Sequence, residues 1–345
     1  SILANTITDI IYMKSMMIGG KEIIVQAELG TQHLFNVPSS ITILNNRELE
    51  FKNVNHFQNL IDLIPNLNYA SGTSRPRYFQ IRGIGERSQY VGEGAPNFSV
   101  GFMVDGIDFS GIGMTGMLFD AQQIEVFKGP QSSIYGPNAI AGLINITSAQ
   151  PTPYITGKSM ISIGSDTQKL AGFAVGGPLS SKLLFRFAFQ KHSQNGFREN
   201  VFKNLTNTNK RDELYTRIKL NWTISPTVNL HFVSFNSNLN NGYDVWSVDN
   251  NKDYITYSDE QGMDSQKSYS NSFKINCKDI IGANAFYQYT NSTNKMEHSY
   301  DGDWANNNYW LEFPYNFNPD STYWEYSFFD KTIRNRGKET HEIRI

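Results

Sequence analysis

The sequence predicts an α+β domain followed by an antiparallel transmembrane β-barrel. Two observations carry this prediction. Up to about residue 150, short β-prone runs, two helix signals and glycine-bearing loops are mixed. Beyond Pro151 and Pro153 come runs of about 10 residues in which apolar and polar side chains alternate, as barrel strands require. We therefore divide the chain into residues 1–33, 34–150 and 151–345.

The composition excludes several classes of protein. Lys plus Arg number 30 and Asp plus Glu number 32, so the net charge is −2 and gives no basic surface for nucleic acid. The single cysteine, Cys277, excludes an internal disulfide framework. No window approaches the ~20 consecutive apolar residues that a membrane helix needs, whereas alternating barrel strands pass unnoticed in such a scan.

Residues 1–33 contain one short β-prone run between glycines. The run alone favours an ordinary first strand, although a strand beside flexible glycines can also add to the sheet edge of a partner protein. Its residues are Glu22, Ile23, Ile24, Val25, Gln26 and Ala27.

The start of residues 34–150 predicts one strand and two helices. Residues 38–44 alternate as a strand does, and Asn45 with Glu48 forms a capping-box pattern at the start of a helix. A second helix is indicated by apolar residues at helical spacing before Pro65, which we assign to the core. These residues are Phe57, Leu60, Ile61 and Ile64.

The rest of this domain predicts four further strands. Residues 78–83 form one, and residues 100–104 form another that ends at the turn signal Asp105-Gly106. Residues 124–128 and 143–147 form two more strands, joined by a compact link rich in Gly and Pro.

Motifs for catalysis are absent from the sequence. The glycine-rich link of residues 129–142 lacks the Gly-Lys-Ser/Thr ending of a phosphate loop, and there is no His-Glu-x-x-His or Gly-x-Ser-x-Gly. Asp301 and Asp303 lack the further oxygens of a calcium loop. We therefore predict no enzyme activity, no cofactor and no metal site.

The alternating runs after residue 154 predict two faces. Phe187 and Leu214 fall on the apolar face and Lys219 on the polar one. Short turns at residues 177–181 and 224–227 contrast with long polar segments at 194–212 and 242–266. A soluble β-sandwich would alternate too, but this asymmetry and the aromatics near strand ends favour a barrel.

Several motifs in residues 79–146 together resemble the plug domain of a TonB-dependent outer-membrane receptor. They are FQIRGIG at 79–85, VDGI at 104–107, IEVFKGPQSSIYG at 124–136 and NAIAGLINI at 138–146. The resemblance assigns plug structural roles to Arg82, Gly83, Asp105, Gly106, Glu125, Gly129, Pro130, Gly136, Gly142 and Asn145.

The resemblance also implies partners. Glu22–Ala27 becomes a TonB-box candidate, TonB of the inner membrane becomes the expected partner, and the barrel would lie in outer-membrane lipid of a Gram-negative bacterium. The solute would be scarce, an iron chelate such as a ferric siderophore. Arg87 and Tyr90, in an outward loop of the plug, become candidate ligand contacts because guanidinium and phenol groups suit an anionic chelate.

The strand count departs from the family. Residues 154–345 offer about nine candidate runs, whereas plugged barrels of this kind have roughly 22 strands. We therefore expect the chain to be a fragment. The alternative hypothesis is a soluble or surface β-rich binding protein without transport.

Overall fold

The computed structural model describes most of the chain in two compact units, residues 1–38 and residues 39–345. The described residues are 24–27, 30–33, 39–51, 57–70, 78–86, 98–113, 118–280, 282–312, 315 and 327–345. In the first unit, β1 (Ile24–Ala27) and β2 (Gly30–His33) form an antiparallel hairpin, with Ile24 opposite His33. The run expected to offer an unpaired strand is therefore paired along one edge.

The second unit begins with a small mixed domain, which we call the inner domain (residues 39–150). Its elements are β3 (Ile41–Asn45), α1 (Asn46–Phe51), a 3₁₀ helix (Phe57–Leu63), β4 (Leu67–Ala70), β5 (Tyr78–Ile81), β6 (Ile84–Gly85), β7 (Val100–Val104), β8 (Ile107–Asp108), β9 (Ala121–Phe127), α2 (Ser132–Tyr135) and β10 (Gly142–Ser148).

Two sheets build the inner domain. One has five strands in the order β3-β9-β10-β7-β8, and the other has three in the order β4-β5-β6. β9 and β10 pair antiparallel, with Leu143 opposite Phe127, so the two strands predicted around the Gly/Pro link are confirmed. The link itself contains α2, a single helical turn that the sequence did not indicate.

Both predicted helices form at the expected positions, but one of them is of a different helix type. Asn45 Oδ1 accepts from the Glu48 N–H at 3.0 Å, and Glu48 Oε2 accepts from the Asn45 N–H at 2.9 Å, as a capping box does. The second helix is a 3₁₀ helix, not an α-helix. Its Phe57 ring packs edge-on against Phe79 and Phe102, with centroids 5.2 and 5.3 Å away, so the predicted apolar face is core.

After the inner domain, long strands form one antiparallel sheet, which we call the wall. Its strands follow the order β11-β12-β13-β15-β16-β18-β19-β20, while the short β14 and β17 pair with each other in parallel. The elements are β11 (Thr156–Ile163), β12 (Lys169–Pro178), β13 (Leu183–Gln194), β14 (Glu199–Asn200), β15 (Arg211–Thr223), β16 (Val228–Tyr243), β17 (Ile255–Thr256), β18 (Gly262–Ile280), β19 (Ala283–Asp301), α3 (Asn307–Leu311) and β20 (Phe329–Arg344).

The wall has eight strands in the described part of the chain, against about nine candidate runs expected from the sequence. One of those candidate runs is at residues 323–329 and another at 340–345. Residues 323–326 lie outside the described residues, and Phe329–Arg344 forms one continuous strand. β11 and β20 are the edges of the eight-stranded sheet and do not pair with each other.

The wall confirms the predicted faces and loop asymmetry. Side chains alternate between the inner domain and the outside; Lys219 is buried inside, whereas Ile218 is 41% exposed outside. The connections at 179–182, 224–227 and 281–282 lie at one end and have two to four residues. Those at 164–168, 195–210, 244–261 and 302–328 lie at the other end, and all but the first have at least 16 residues. No helix among the described residues is long and apolar enough to cross a membrane.

Candidate functional site

The turn between β7 and β8 holds the predicted motif residues Asp105 and Gly106. Both have positive φ, 49° and 80°, which a tight hairpin turn requires and glycine tolerates well. The Asp105 carboxylate accepts from the backbone N–H of Ser148 at 2.9 Å and from its hydroxyl at 2.6 Å. Asp105 therefore fastens the turn to the end of β10.

The same carboxylate contacts two cations of the wall strand β15. Lys219 Nζ lies 3.0 Å from Asp105 Oδ1, and Arg217 Nε lies 4.0 Å from Oδ2. Lys219 also donates to the Ser148 hydroxyl at 2.9 Å. Burial would raise the pKa of Asp105, but Lys219, Arg217 and the hydrogen bonds from Ser148 lower it to about 2. Asp105 is therefore ionised at neutral pH.

A second carboxylate, Asp120 just before β9, extends this cluster. It forms a two-pronged ion pair with Arg186 of β13, in which Arg186 Nε donates to Oδ2 at 2.7 Å and Nη2 donates to Oδ1. Arg217 Nη2 lies 3.6 Å from Asp120 Oδ2 and donates to the Asp120 carbonyl at 3.1 Å. We call Asp105, Asp120, Arg186, Arg217 and Lys219 the lock cluster.

The lock cluster places three cations against two carboxylates, all nearly without solvent. The exposed fraction of each side chain is between 2% and 9%. Removing one partner from such a cluster strands a buried charge, which costs about 3–5 kcal/mol. The cluster therefore fixes the inner domain to the wall at a defined position.

The other side of the β7–β8 hairpin contacts the far edge of the wall. Asp108 pairs with Lys338 of β20 and accepts from the Ser110 N–H at 2.7 Å, and Arg336 donates to the Ser110 carbonyl at 2.8 Å. Burial would raise the pKa of Asp108, but Lys338 and Ser110 lower it. One hairpin thus bridges β15 and β20, which lie four strands apart in the wall.

Other predicted motif residues act within the inner domain. Glu125 is 1% exposed and accepts from Asn145 Nδ2 and Gln123 Nε2, each at 2.8 Å, so two neighbouring strands share a buried polar contact. A Cβ on Gly142 would lie 2.3 Å from the Phe127 carbonyl oxygen, so this position requires glycine.

The remaining motif residues lie in turns. Arg82 and Gly83, with φ of 53° and 81°, turn β5 into β6, and Gly136, with φ of 81°, ends α2. Gly129 and Pro130 lie between β9 and α2.

The predicted contacts for TonB and for the solute are only partly described. Ile24–Ala27 form β1, whereas Glu22 and Ile23 lie outside the described residues. Arg87 and Tyr90 also lie outside them. The TonB box and the ligand contacts therefore stay predictions.

The loop end of the wall carries an aromatic cleft that the sequence analysis missed. The rings of Trp246 and Trp304 stack with centroids 6.0 Å apart and are 53% and 40% exposed. They line a small open cleft together with Tyr243, Tyr300 and the buried Asp244. Exposed stacked indoles offer flat faces to a ring-bearing solute.

Carboxylates at this end order the loops. Asp301 accepts four backbone N–H groups, including those of Asp259 at 3.1 Å and Trp304 at 3.2 Å, and Asp303 accepts that of Ala305 at 3.1 Å. These contacts explain the DGD sequence at 301–303 without a metal. Among the described residues, no three His, Cys, Asp or Glu side chains converge in a metal-binding arrangement.

Comparison with known proteins gives a family model and several relatives that resemble this chain. A family model described as the TonB-dependent receptor plug domain matches residues 33–143. The vitamin B12 transporter of Vibrio vulnificus (strain YJ016) is 24% identical over 207 residues, which cover 57% of this chain and 32% of that protein. The pesticin receptor of Yersinia pestis is 28% identical over 147 residues, 42% of this chain and 21% of that protein.

A solved structure has the same fold. The ferric yersiniabactin uptake receptor of Yersinia pestis superposes with a TM-score of 0.63 at 18% identity, over 76% of this chain and 42% of that one. The chain thus spans about a third or less of the length of the two curated relatives.

Proposed function

Because the chain belongs to the TonB-dependent receptors of the Gram-negative outer membrane, we propose that the whole protein imports a scarce solute using energy delivered by TonB. The observation that carries this proposal is the lock cluster between the inner domain, which is the family's plug, and the barrel wall. The relatives named above are transporters and receptors, and we accordingly assign no reaction to the chain.

A plug held by charges suits a transporter that must seal and then open. The lock cluster excludes solvent, so it holds the plug strongly while it is intact. When the plug moves and water enters, the five charged groups regain their hydration, which offsets much of the lost attraction. A contact of the same size made only of apolar side chains would not recover energy in this way.

The hairpin of β1 and β2 supports a TonB contact. β2 pairs with one edge of β1, and no other strand among the described residues pairs with β1, so its second edge can offer backbone groups to a partner strand. We propose that residues Glu22–Ala27 pair with TonB along that edge. A peptide of residues 21–30 should bind the carboxyl-terminal domain of TonB, and the same peptide with Val25→Pro should bind at least tenfold more weakly.

For the solute we propose an iron chelate, with Arg87, Tyr90 and the cleft of Trp246 and Trp304 as contacts. The named function of the ferric yersiniabactin uptake receptor supports this class. The vitamin B12 transporter is also similar, so vitamin B12 belongs in the same experiment as a second candidate solute.

The decisive experiment measures uptake of radioactive iron chelates and of radioactive cobalamin into cells, with and without a protonophore. We expect iron uptake that stops when the proton-motive force is dissipated and that requires residues 22–27. Uptake that persists without the force would contradict the transport proposal and favour a surface binding protein. Energy-dependent uptake of cobalamin alone would contradict only the iron assignment.

A further inference from the structure

The outward face of the wall carries a row of four polar side chains across β16, β18, β19 and β20. The strand register places Asn238 opposite Lys267, Lys267 opposite Lys295, and Lys295 opposite Asn335. These residues alternate with the inward-facing, buried Gln266, Ser268 and Asn294, so the row lies on the side away from the plug. Lys267 and Lys295 are both exposed.

Two lysines directly opposite each other on neighbouring strands are unfavourable. Their Cβ atoms lie about 5 Å apart in such a pair, and like charges there destabilise the sheet. Two other outward lysines have a carboxylate: Lys191 pairs with Asp212, and Lys331 lies 2.9 Å from Glu297. Within the described ranges, neither Lys267 nor Lys295 forms an ion pair with a carboxylate. An anion from outside the chain would relieve their repulsion.

The height of the pair on the wall indicates where that anion lies. Lys267 is 13 residues from the end of β18 and Lys295 is 12 residues from the start of β19, on either side of the short turn (280 − 267 = 13 and 295 − 283 = 12). At ~3.4 Å per residue and a strand tilt of ~40°, this is about 31–34 Å above the turn, beyond an apolar band of about 25 Å. Short turns mark the periplasmic side, so the lysines lie at the outer boundary.

The positions of aromatic side chains on the wall also place the two lysines at the outer boundary of the apolar band. Tyr269, 61% exposed, lies on the same outward face two residues closer to the turn than Lys267. Near the turn end of the wall, Trp222 is 49% exposed. Aromatic girdles flank the apolar band of outer-membrane barrels at both interfaces. Lys267 and Lys295 therefore lie just outside the outer girdle, where lipid headgroups surround the wall.

We propose that Lys267 and Lys295 bind a phosphate group of an anionic lipid headgroup in the outer leaflet. Both ammonium groups can converge on one phosphate, while the Asn238 and Asn335 amides flank it with hydrogen-bond donors. Each basic residue near an anionic membrane surface strengthens attraction measurably. The proposal depends on the outer-membrane location and is independent of TonB and of the imported solute.

The test measures the thermal stability of the protein extracted from outer membranes into detergent. The probe is lipid A, a glycolipid with two phosphates, and the matched probe is the same lipid without phosphate. We expect a rise in Tm with lipid A only. The Lys267→Gln/Lys295→Gln variant should need roughly thirtyfold more lipid A for the same rise, from two lysine contributions.

The matched control is Lys182→Gln/Lys278→Gln, which removes two exposed lysines at the turn end of the wall and should respond as the wild type does. Without lipid, Lys267→Gln/Lys295→Gln should be as stable as the wild type or more stable, because repulsion is removed. An equal response of both double variants, or an equal rise with the phosphate-free lipid, would overturn the proposal. A rise with inorganic phosphate at the same phosphate concentration would overturn the assignment to a lipid.

Discussion

Replacing Asp105 by Asn tests whether the lock cluster holds the plug in place. Asn keeps the shape of the side chain and can still accept one hydrogen bond from Ser148, but it removes the negative charge. Lys219, whose ammonium lies 3.0 Å from the carboxylate, and Arg217 then remain buried with Asp120 as the nearest anion of the cluster. The variant therefore changes charge while leaving packing nearly unchanged.

The stability that the Asp105 charge contributes follows from the pKa of its carboxyl group. The ordinary pKa of the carboxyl is 3.8, and in the folded protein it is about 2. At 1.36 kcal/mol per pKa unit, the difference corresponds to about 2 kcal/mol of stability at neutral pH. Because the folded pKa is the lower one, this contribution is fully present above pH ~4 and is lost as the pH falls toward 2.

A second ion pair between plug and wall provides the control. Glu50 of α1 lies 2.5 Å from Lys158 of β11, but the Glu50 side chain is 51% exposed. Exposed pairs of this kind contribute about 0–1 kcal/mol. Glu50→Gln should therefore weaken the plug contact far less than Asp105→Asn, although each variant removes one carboxylate from the same interface.

The assay follows release of the plug in urea. The Cys277→Ser variant, which has no other cysteine, receives the substitution Ala139→Cys at a plug position that is 1% exposed. The rate at which this cysteine reacts with a maleimide measures how often the plug moves away from the wall. Asp105→Asn should lower the free energy of opening by about 2 kcal/mol, the contribution that follows from the pKa of Asp105. Lys219→Met should restore part of this loss by removing an unpaired cation. A loss no larger than that of Glu50→Gln would refute the reasoning.

Two further predictions concern the wall and its loops. Phe187→Asp, which places a charge on the outward apolar face, should reduce the folded, heat-modifiable fraction on gels at least fivefold, whereas Ser180→Asp in an exposed turn should leave it unchanged. Asp244→Ala removes an acceptor that Asn200, Thr256 and Ser258 share. Protease cleavage within residues 195–210 should therefore accelerate about tenfold. Equal acceleration by the exposed Asp253→Ala would contradict the role of Asp244 in ordering these loops.

Features that depend on neighbours in the sequence could be predicted. The capping box of Asn45 and Glu48 contains both partners within three residues, and both hydrogen bonds form. The faces of the wall follow from alternation, so the burial of Lys219 and the exposure of Ile218 agree with the prediction. The 3₁₀ form of the second helix was missed because apolar spacing is nearly the same for both helix types over seven residues.

Long-range partners could not be predicted. Asp120 and Arg186 are 66 residues apart, and nothing in either neighbourhood indicates the pairing. Alternation did place Arg186 and Arg217 on the same face as Lys219. A cation facing the lumen requires a carboxylate nearby, but which one depends on how the plug docks. The Trp246–Trp304 stack was missed for the same reason, since two loops must meet to form it.

The buried cations inside the wall have carboxylates supplied by the chain, whereas Lys267 and Lys295 outside it have none among the described residues, and burial accounts for the difference. Inside, Arg186 forms a two-pronged pair with Asp120, as a planar guanidinium does with a carboxylate where water is excluded. Outside, Lys267 and Lys295 stay solvated and face no carboxylate of their own wall in the described part of the chain. A buried cation needs its anion built into the fold, because desolvation without a partner would be too costly. An exposed cation stays hydrated without a partner and can bind an anion from the membrane. The inner contacts therefore fix the plug, and the outer ones remain available to a ligand that the chain does not supply.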